Sequence, residues 1–157
     1  RLDPDLKPDT KTSIDLLQQT RQNLAELMPI AWEKQIELSL EADETLSWQA
    51  EIEDGMLDVL LQNLISNAVK FSPSKSSIEL HLEKTAGSFQ LTVVDHGSGV
   101  ASDDLERITE RFYRSGNESG AGLGLSIVKR ITQRHNGQLE LKQTPGGGLT
   151  VQVNLPK

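Results

Sequence analysis

Gly116-Asn117-Glu118-Ser119-Gly120-Ala121-Gly122-Leu123-Gly124-Leu125 runs directly into the apolar, helix-like segment 126–131. Glycines that open a helix let backbone N–H groups approach an anion closely, and the helix N-terminus adds partial positive charge. That is phosphate-binding chemistry. Upstream, Asp95-His96-Gly97-Ser98-Gly99 ends an apolar strand with a carboxylate and a second glycine pair. Two glycine hinges around one segment point to a nucleotide site with a lid.

A third group of polar residues lies on the stretch from Leu57 to Phe71. Asn63, Asn67 and Lys70 fall there at spacings of four and three, on one helical stripe about 60° wide at ~100° per residue. Amide oxygens can ligate Mg²⁺, a hard cation that keeps several waters and shares phosphate oxygens. Lys70 can meet a phosphate. A solvated stripe on an amphipathic helix accounts for the same three residues equally well. Asp95 can accept a hydrogen bond from an exocyclic amine such as adenine N6, or it can cap the following turn. Within the lid, Arg111-Phe112-Tyr113-Arg114 combines aromatics able to pack down as anchors with arginines able to clamp a γ-phosphate. Arg111 alone reads as a solvated cation.

Two familiar nucleotide motifs are excluded. Gly97-x-Gly99 has no third glycine at the dinucleotide-binding spacing, and no Gly-Lys-Ser/Thr of a Walker loop occurs. The three histidines, His81, His96 and His135, sit beside neither a triad nor a metal-ligand pattern.

The elements that must hold these groups follow from periodicity. Ser13 to Lys34 carries apolar residues at helical spacing (Leu16, Leu17, Leu24, Leu27, Met28, Ala31), with a kink or break expected at Pro29. Ile36 to Leu40 alternates as a strand, and Leu46 to Ala50 is a weaker one. Asp54 is placed to cap a long helix through Phe71, stopped by Ser72-Pro73. Ser77 to Glu83 and Phe89 to Val94 form a hairpin about Ala86-Gly87-Ser88. Residues 97–121 read as loop with a helical patch from Asp103 to Glu110. Gly122 to His135 is a helix ended by Asn136-Gly137, and Gln138 to Gln143 and Leu149 to Leu155 are strands joined by Pro145-Gly146-Gly147-Gly148. This order gives an α/β fold: a mixed sheet with helices packed on one face.

The chain has 157 residues, enough for one domain with its own core, and a net charge of −7 without any basic block. No nucleic-acid partner is expected, because phosphate backbones demand Lys and Arg clusters. No apolar run is long enough to span a bilayer. With no cysteine there is neither a disulfide framework nor a thiolate site. The first residue is Arg1 rather than Met, as in a piece of a longer protein.

In this order the segments resemble the catalytic ATP-binding domain of bacterial two-component sensor histidine kinases, within the GHKL superfamily. Asn63-Leu64-Ile65-Ser66-Asn67-Ala68-Val69-Lys70-Phe71-Ser72 is similar to the N box and Asp95-His96-Gly97-Ser98-Gly99-Val100 to the G1 box. Glu110-Arg111-Phe112-Tyr113-Arg114 is similar to the F box and Gly120-Ala121-Gly122-Leu123-Gly124-Leu125-Ser126-Ile127-Val128 to the G2 box. Each box alone is weak, but four in register are specific. The resemblance implies the Bergerat fold, a two-layer α/β sandwich with a mixed, mostly antiparallel sheet packed on helices and a mobile ATP lid.

The resemblance also implies the roles. Asn67, assisted by Asn63, would coordinate Mg²⁺; Lys70 would touch phosphate; Asp95 would read the adenine amine. Gly97 and Gly99 would let the lid start close to the base. Gly120, Gly122, Leu123 and Gly124 would present N–H groups to the phosphates, and Arg114 is the better candidate for the γ-phosphate. Val100, Phe112, Tyr113 and Leu125 would line the nucleotide site. Phe71 stands where many relatives have tyrosine, so packing against the nucleoside is kept and a hydroxyl is lost.

None of the three histidines is followed by the family's phosphoacceptor signature. The expectation is therefore a catalytic ATP-binding domain over residues 12–157, with residues 1–11 as linker from a dimerisation and phosphoacceptor domain. Its partners would be that domain and, through the full-length protein, a response regulator. The domain itself would be a monomer without membrane contact, the cytoplasmic part of an inner-membrane sensor. The other classes considered are a GHKL ATPase, which uses a glutamate base where this chain has Asn63, and a nucleotide-sensing or anti-sigma-like binding module.

Overall fold

Period-two alternation in four segments places one apolar row on each strand: Ile78, Leu80 and Leu82; Phe89, Leu91 and Val93; Leu149, Val151, Val153 and Leu155, all buried, and the half-buried Leu139 and Leu141. The computed structural model describes residues 11–97 and 121–157, with side chains from Gly124 onward in the second segment. The strands are β1 (Lys11–Asp15), β2 (Glu37–Glu41), β3 (Gln49–Glu53), β4 (Ser77–Lys84), β5 (Ser88–Val94), β6 (Gln138–Gln143) and β7 (Leu149–Pro156). The helices are α1 (Leu16–Glu33), α2 (Met56–Phe71) and α3 (Ala121–Arg134).

Five strands form one sheet in the order β2-β4-β5-β7-β6. β2 runs parallel to β4, and the other three pairings are antiparallel. The sheet is therefore mixed and mostly antiparallel, as expected. The helices meet its apolar face through Leu24, Leu27 and Ala31 of α1, Leu57, Leu60, Leu61, Leu64 and Ile65 of α2, and Leu125, Val128 and Ile131 of α3. The opposite face carries Glu37, Glu41, Glu79, His81, Gln90, Thr92, Gln152 and other polar residues.

Four local expectations are corrected. Residues Ser13 to Asp15 are not the start of the first helix; they belong to β1, which pairs antiparallel with β3 in a separate two-stranded sheet. The helix begins at Leu16, where the Asp15 carboxylate accepts from the Gln18 N–H at 3.0 Å and the Leu16 N–H is held by the Trp48 carbonyl. Pro29 does not break α1, which runs through to Glu33. Pro29 and Ala25, whose carbonyl loses its partner, are both on the exposed face, where that group is open to solvent. Asp54 does not cap α2: the N-cap is Gly55 at φ +79°, without a side-chain cap. The weaker strand forms three residues later than expected, at Gln49–Glu53.

Candidate functional site

α2 is apolar on most sides because it is sandwiched between α1, the sheet and α3. Asn67 is 8% exposed and nevertheless polar. Its Oδ1 is buried and, among the described residues, has no hydrogen-bond partner. A buried unpaired acceptor costs free energy on the order of 1–3 kcal/mol, so the helix carries it for a reason other than packing. One turn earlier Asn63 donates through Nδ2 to the Val59 carbonyl at 2.7 Å. That bond orients the amide and leaves Oδ1 as its free end. A Cβ placed on Gly124, in the first turns of α3, would lie 3.7 Å from Asn63 Oδ1. The start of the glycine-opened helix thus abuts the asparagine stripe.

Two neutral amide oxygens of this kind suit a hard divalent cation that completes its shell with water and phosphate oxygens. The donor set fits Mg²⁺. Lys70 is exposed in the last turn of α2, with Nζ 5.9 Å from the centre of the half-buried Phe71 ring. The C-terminal carbonyls of this helix are closed by Lys34, whose Nζ donates to the Val69 and Lys70 carbonyls at 3.0 Å each.

Asp95 is 4% exposed at the end of β5. Its Oδ1 accepts from the Leu149 N–H at 2.9 Å and from the Gly97 N–H at 3.1 Å. The capping role open at sequence level is therefore real, and one oxygen performs it. Among the described residues Oδ2 takes part in no hydrogen bond, which leaves it to accept from a ligand amine. Burial pushes the Asp95 carboxyl up from the ordinary aspartate value, against the opposing pull of the Leu149 and Gly97 N–H groups and of charge on His96.

Two glycines make this placement possible. A Cβ on Gly97 would lie 2.0 Å from the Phe71 carbonyl oxygen, so the turn after Asp95 packs main chain to main chain against the end of α2. A Cβ on Gly148, which has φ +115°, would lie 2.1 Å from the Asp95 carbonyl oxygen. The Gly146 to Gly148 turn read from sequence as a hairpin connection is thus also the floor under Asp95. Leu149 and Gly148 were legible only as strand and turn; no local signal tied them to Asp95, 54 positions away from Leu149.

The structure brings Asn63, Asn67, Lys70 and Phe71 of α2 together with Asp95 and Gly97 on one side and Gly124 on the other. Leu125 is fully buried in the core rather than open to a ligand. Gly122 and Leu123 lie in the first turn of α3, which starts at Ala121, one residue earlier than expected. Gly99, Val100, Arg111, Phe112, Tyr113, Arg114 and Gly120 lie outside the described residues, as does the expected helical patch from Asp103 to Glu110. Among the described residues no group of three or more His, Cys, Asp or Glu is arranged to hold a metal ion, and no helix is long and apolar enough to cross a membrane.

The family model of histidine kinase-, DNA gyrase B- and HSP90-like ATPases matches residues 33–157. The sensor-like histidine kinase SenX3 of Mycolicibacterium smegmatis is 35% identical over 126 residues, covering 77% of this chain and 33% of the relative. The sensor protein kinase PmrB of Pseudomonas aeruginosa is 38% identical over 161 aligned positions, covering all of this chain and 33% of the relative. The chain thus spans about a third of the length of these curated relatives. Full-length ShkA, solved in complex with AMPPNP, superposes with a TM-score of 0.82 at 30% identity, over 94% of this chain and 31% of that one. The catalytic domain of the histidine kinase ThkA, nucleotide free, shares the fold with a TM-score of 0.84 at 22% identity, over 94% and 95% of the two chains.

Proposed function

We propose, for a chain that belongs to the histidine kinase-, DNA gyrase B- and HSP90-like ATPases and is the ATP-binding catalytic domain of a sensor histidine kinase, that it holds Mg-ATP between α2 and the segment preceding α3. From there it presents the γ-phosphoryl to a histidine on a dimerisation domain outside this sequence. The observation that carries the site is the buried, unpartnered Oδ1 of Asn67 one turn from the oriented amide of Asn63.

Each residue of the site has a task in this reading. Asp95 selects the base: Oδ1 is fixed by two main-chain N–H groups and Oδ2 accepts from the adenine amine. Phe71 packs beside the nucleoside. Asn67 and Asn63 offer amide oxygens to Mg²⁺, which when bound neutralises charge on the phosphates and aligns them. Lys70 reaches a phosphate, and the N–H groups of the first turn of α3, from Ala121 to Gly124, which have no partner within the helix, face the phosphates with the positive end of the helix dipole. Gly120 and Arg114 are proposed to complete that cradle, with Gly99, Val100, Phe112 and Tyr113 on the lid. Catalysis of this kind is positioning plus charge stabilisation, since phosphoryl transfer asks for little covalent chemistry from the protein.

Asn63 separates this reading from a hydrolytic one: a neutral amide does not accept a proton from water, as a glutamate base would. Residues 1–11 are proposed as linker from the acceptor domain, and the full-length protein as a sensor whose phosphoryl group passes to a response regulator.

Calorimetry on the isolated chain tests the binding half. Mg-ATP and Mg-ADP should bind one to a monomer, and omission of Mg²⁺ should weaken ATP. Absence of nucleotide binding would refute the site.

A further inference from the structure

The row of acid and imidazole groups on the outer face of the sheet belongs to no task above. Glu41 of β2 places Oε2 3.3 Å from His81 Nδ1, and His81 Nε2 lies 3.5 Å from Glu79 Oε1 on the same strand, β4. The other oxygen of Glu79, Oε2, is 3.1 Å from His96 Nε2. His96 directly follows Asp95. The row therefore runs from the edge strand to the turn that carries the base-reading carboxylate.

That turn needs a tie on this side. The pairing of β5 with β4 ends at Val94 opposite Glu79, while β4 pairs with β2 from Ser77 onward. Beyond Val94 the main chain stays bonded to β7, through Asp95 N–H to the Leu149 carbonyl at 3.0 Å, and has no further main-chain partner on β4. Past that point a single side-chain pair, Glu79 with His96, spans the gap. Glu79 is pushed below the ordinary glutamate value, chiefly by its hydrogen bond from His96, so the pair favours an ionised, accepting carboxylate.

We propose that Glu79 and His96 are positioning residues for base recognition: they clamp the 95–97 turn to β4, and so hold Asp95 Oδ2 where it meets an exocyclic amine. The inference rests on Asp95 reading adenine. His81 and Glu41 extend the clamp by holding Glu79 from its other side.

The test compares Mg-ATP with Mg-inosine triphosphate, which lacks the exocyclic amine, by calorimetry on the full 157-residue chain. Glu79→Ala and His96→Ala should each weaken ATP about three- to tenfold, the range for loss of one ordinary hydrogen bond. Inosine triphosphate should stay within about twofold. The double variant should be no weaker than the worse single one, as expected of two ends of one contact. Glu79→Gln keeps an acceptor for the ring N–H and should recover part of the loss. Glu83→Ala, exposed on the same strand and face, should leave both affinities unchanged. Unaltered ATP affinity in Glu79→Ala would overturn the proposal. So would an equal loss for both nucleotides with a lowered melting temperature, which marks general sheet damage. If Asp95→Asn loses ATP selectively and Glu79→Ala does not, the clamp fails while base reading stands. If Asp95→Asn shows no selectivity, base reading itself fails and the clamp falls with it.

Discussion

Asp95→Asn separates the two jobs that one carboxylate performs. The amide oxygen can occupy the position of Oδ1 and keep both main-chain bonds, from Leu149 at 2.9 Å and Gly97 at 3.1 Å. The amide nitrogen then replaces Oδ2 and presents a donor to the adenine amine, itself a donor. Loss of a charge-assisted hydrogen bond is worth about 1.5–3 kcal/mol, or roughly 10- to 150-fold in ATP affinity. The unliganded protein should respond in the opposite sense. Burial raises the folded-state pKa of Asp95 above its ordinary 3.8. The stability this group contributes is thus fully present below the unfolded value and lost as pH rises through the folded one. At neutral pH the wild-type chain bears that loss and the neutral asparagine does not. Calorimetry and thermal melting on the same variant should show much weaker ATP binding at an unchanged or higher melting temperature. ATP affinity within about twofold of wild type, or a clear fall in melting temperature with equal losses for ATP and inosine triphosphate, would refute the reasoning and leave Asp95 as a structural cap.

Asn67→Ala should abolish phosphoryl transfer to a supplied acceptor domain, yet leave thermal stability unchanged or slightly raised, because it removes a buried acceptor that has no partner; transfer at the wild-type rate would take Asn67 out of the site. Gly97→Ala forces a methyl group within 2.0 Å of the Phe71 carbonyl oxygen, and should cost about 1–3 kcal/mol in urea unfolding along with nucleotide affinity; a silent substitution would show that the turn does not pack on α2. His135 is pushed below its ordinary 6.5 chiefly by burial, so the unfolded chain takes up its proton first and stability falls as pH drops below that value. Urea midpoints at about pH 7.5 and about pH 5.5 should differ in wild type and differ less in His135→Gln; an identical difference in both would assign the acid limb to other groups.

The fold was legible wherever period and punctuation agreed. The alternating rows of β4, β5 and β7 and the glycine turns between strands specify the antiparallel part of the sheet, and the apolar surface of α2 specifies a helix buried on several sides. β1 was hidden because Lys11 to Asp15 has little apolar alternation of its own; the pairing that makes it a strand comes from β3, a distant partner. Pro29 misled because the cost of a proline in a helix depends on whether the freed carbonyl reaches water, which spacing alone does not say. In the site, residue types at fixed offsets on one helix, Asn63, Asn67 and Lys70, announced themselves. Contacts made across the fold did not: the hold of Leu149 on Asp95, the bed of Gly148, and the pairing of His96 with Glu79 exist only once β4, β5 and β7 lie side by side. His96 read in isolation matched no motif, and its partner is 17 residues away on another strand.

As a catalytic domain, the chain should deliver phosphoryl groups to a histidine it does not itself carry. The direct measurement is to incubate the chain with γ-labelled Mg-ATP, alone and with the dimerisation domain of its own full-length protein, and to follow acid-labile phosphohistidine on each polypeptide together with free phosphate. The expected result is no stable label on the chain alone and label on the acceptor domain once it is added, lost in Asn67→Ala. Release of free phosphate at the same rate with or without the acceptor, and no phosphohistidine on it, would instead identify a hydrolytic ATPase.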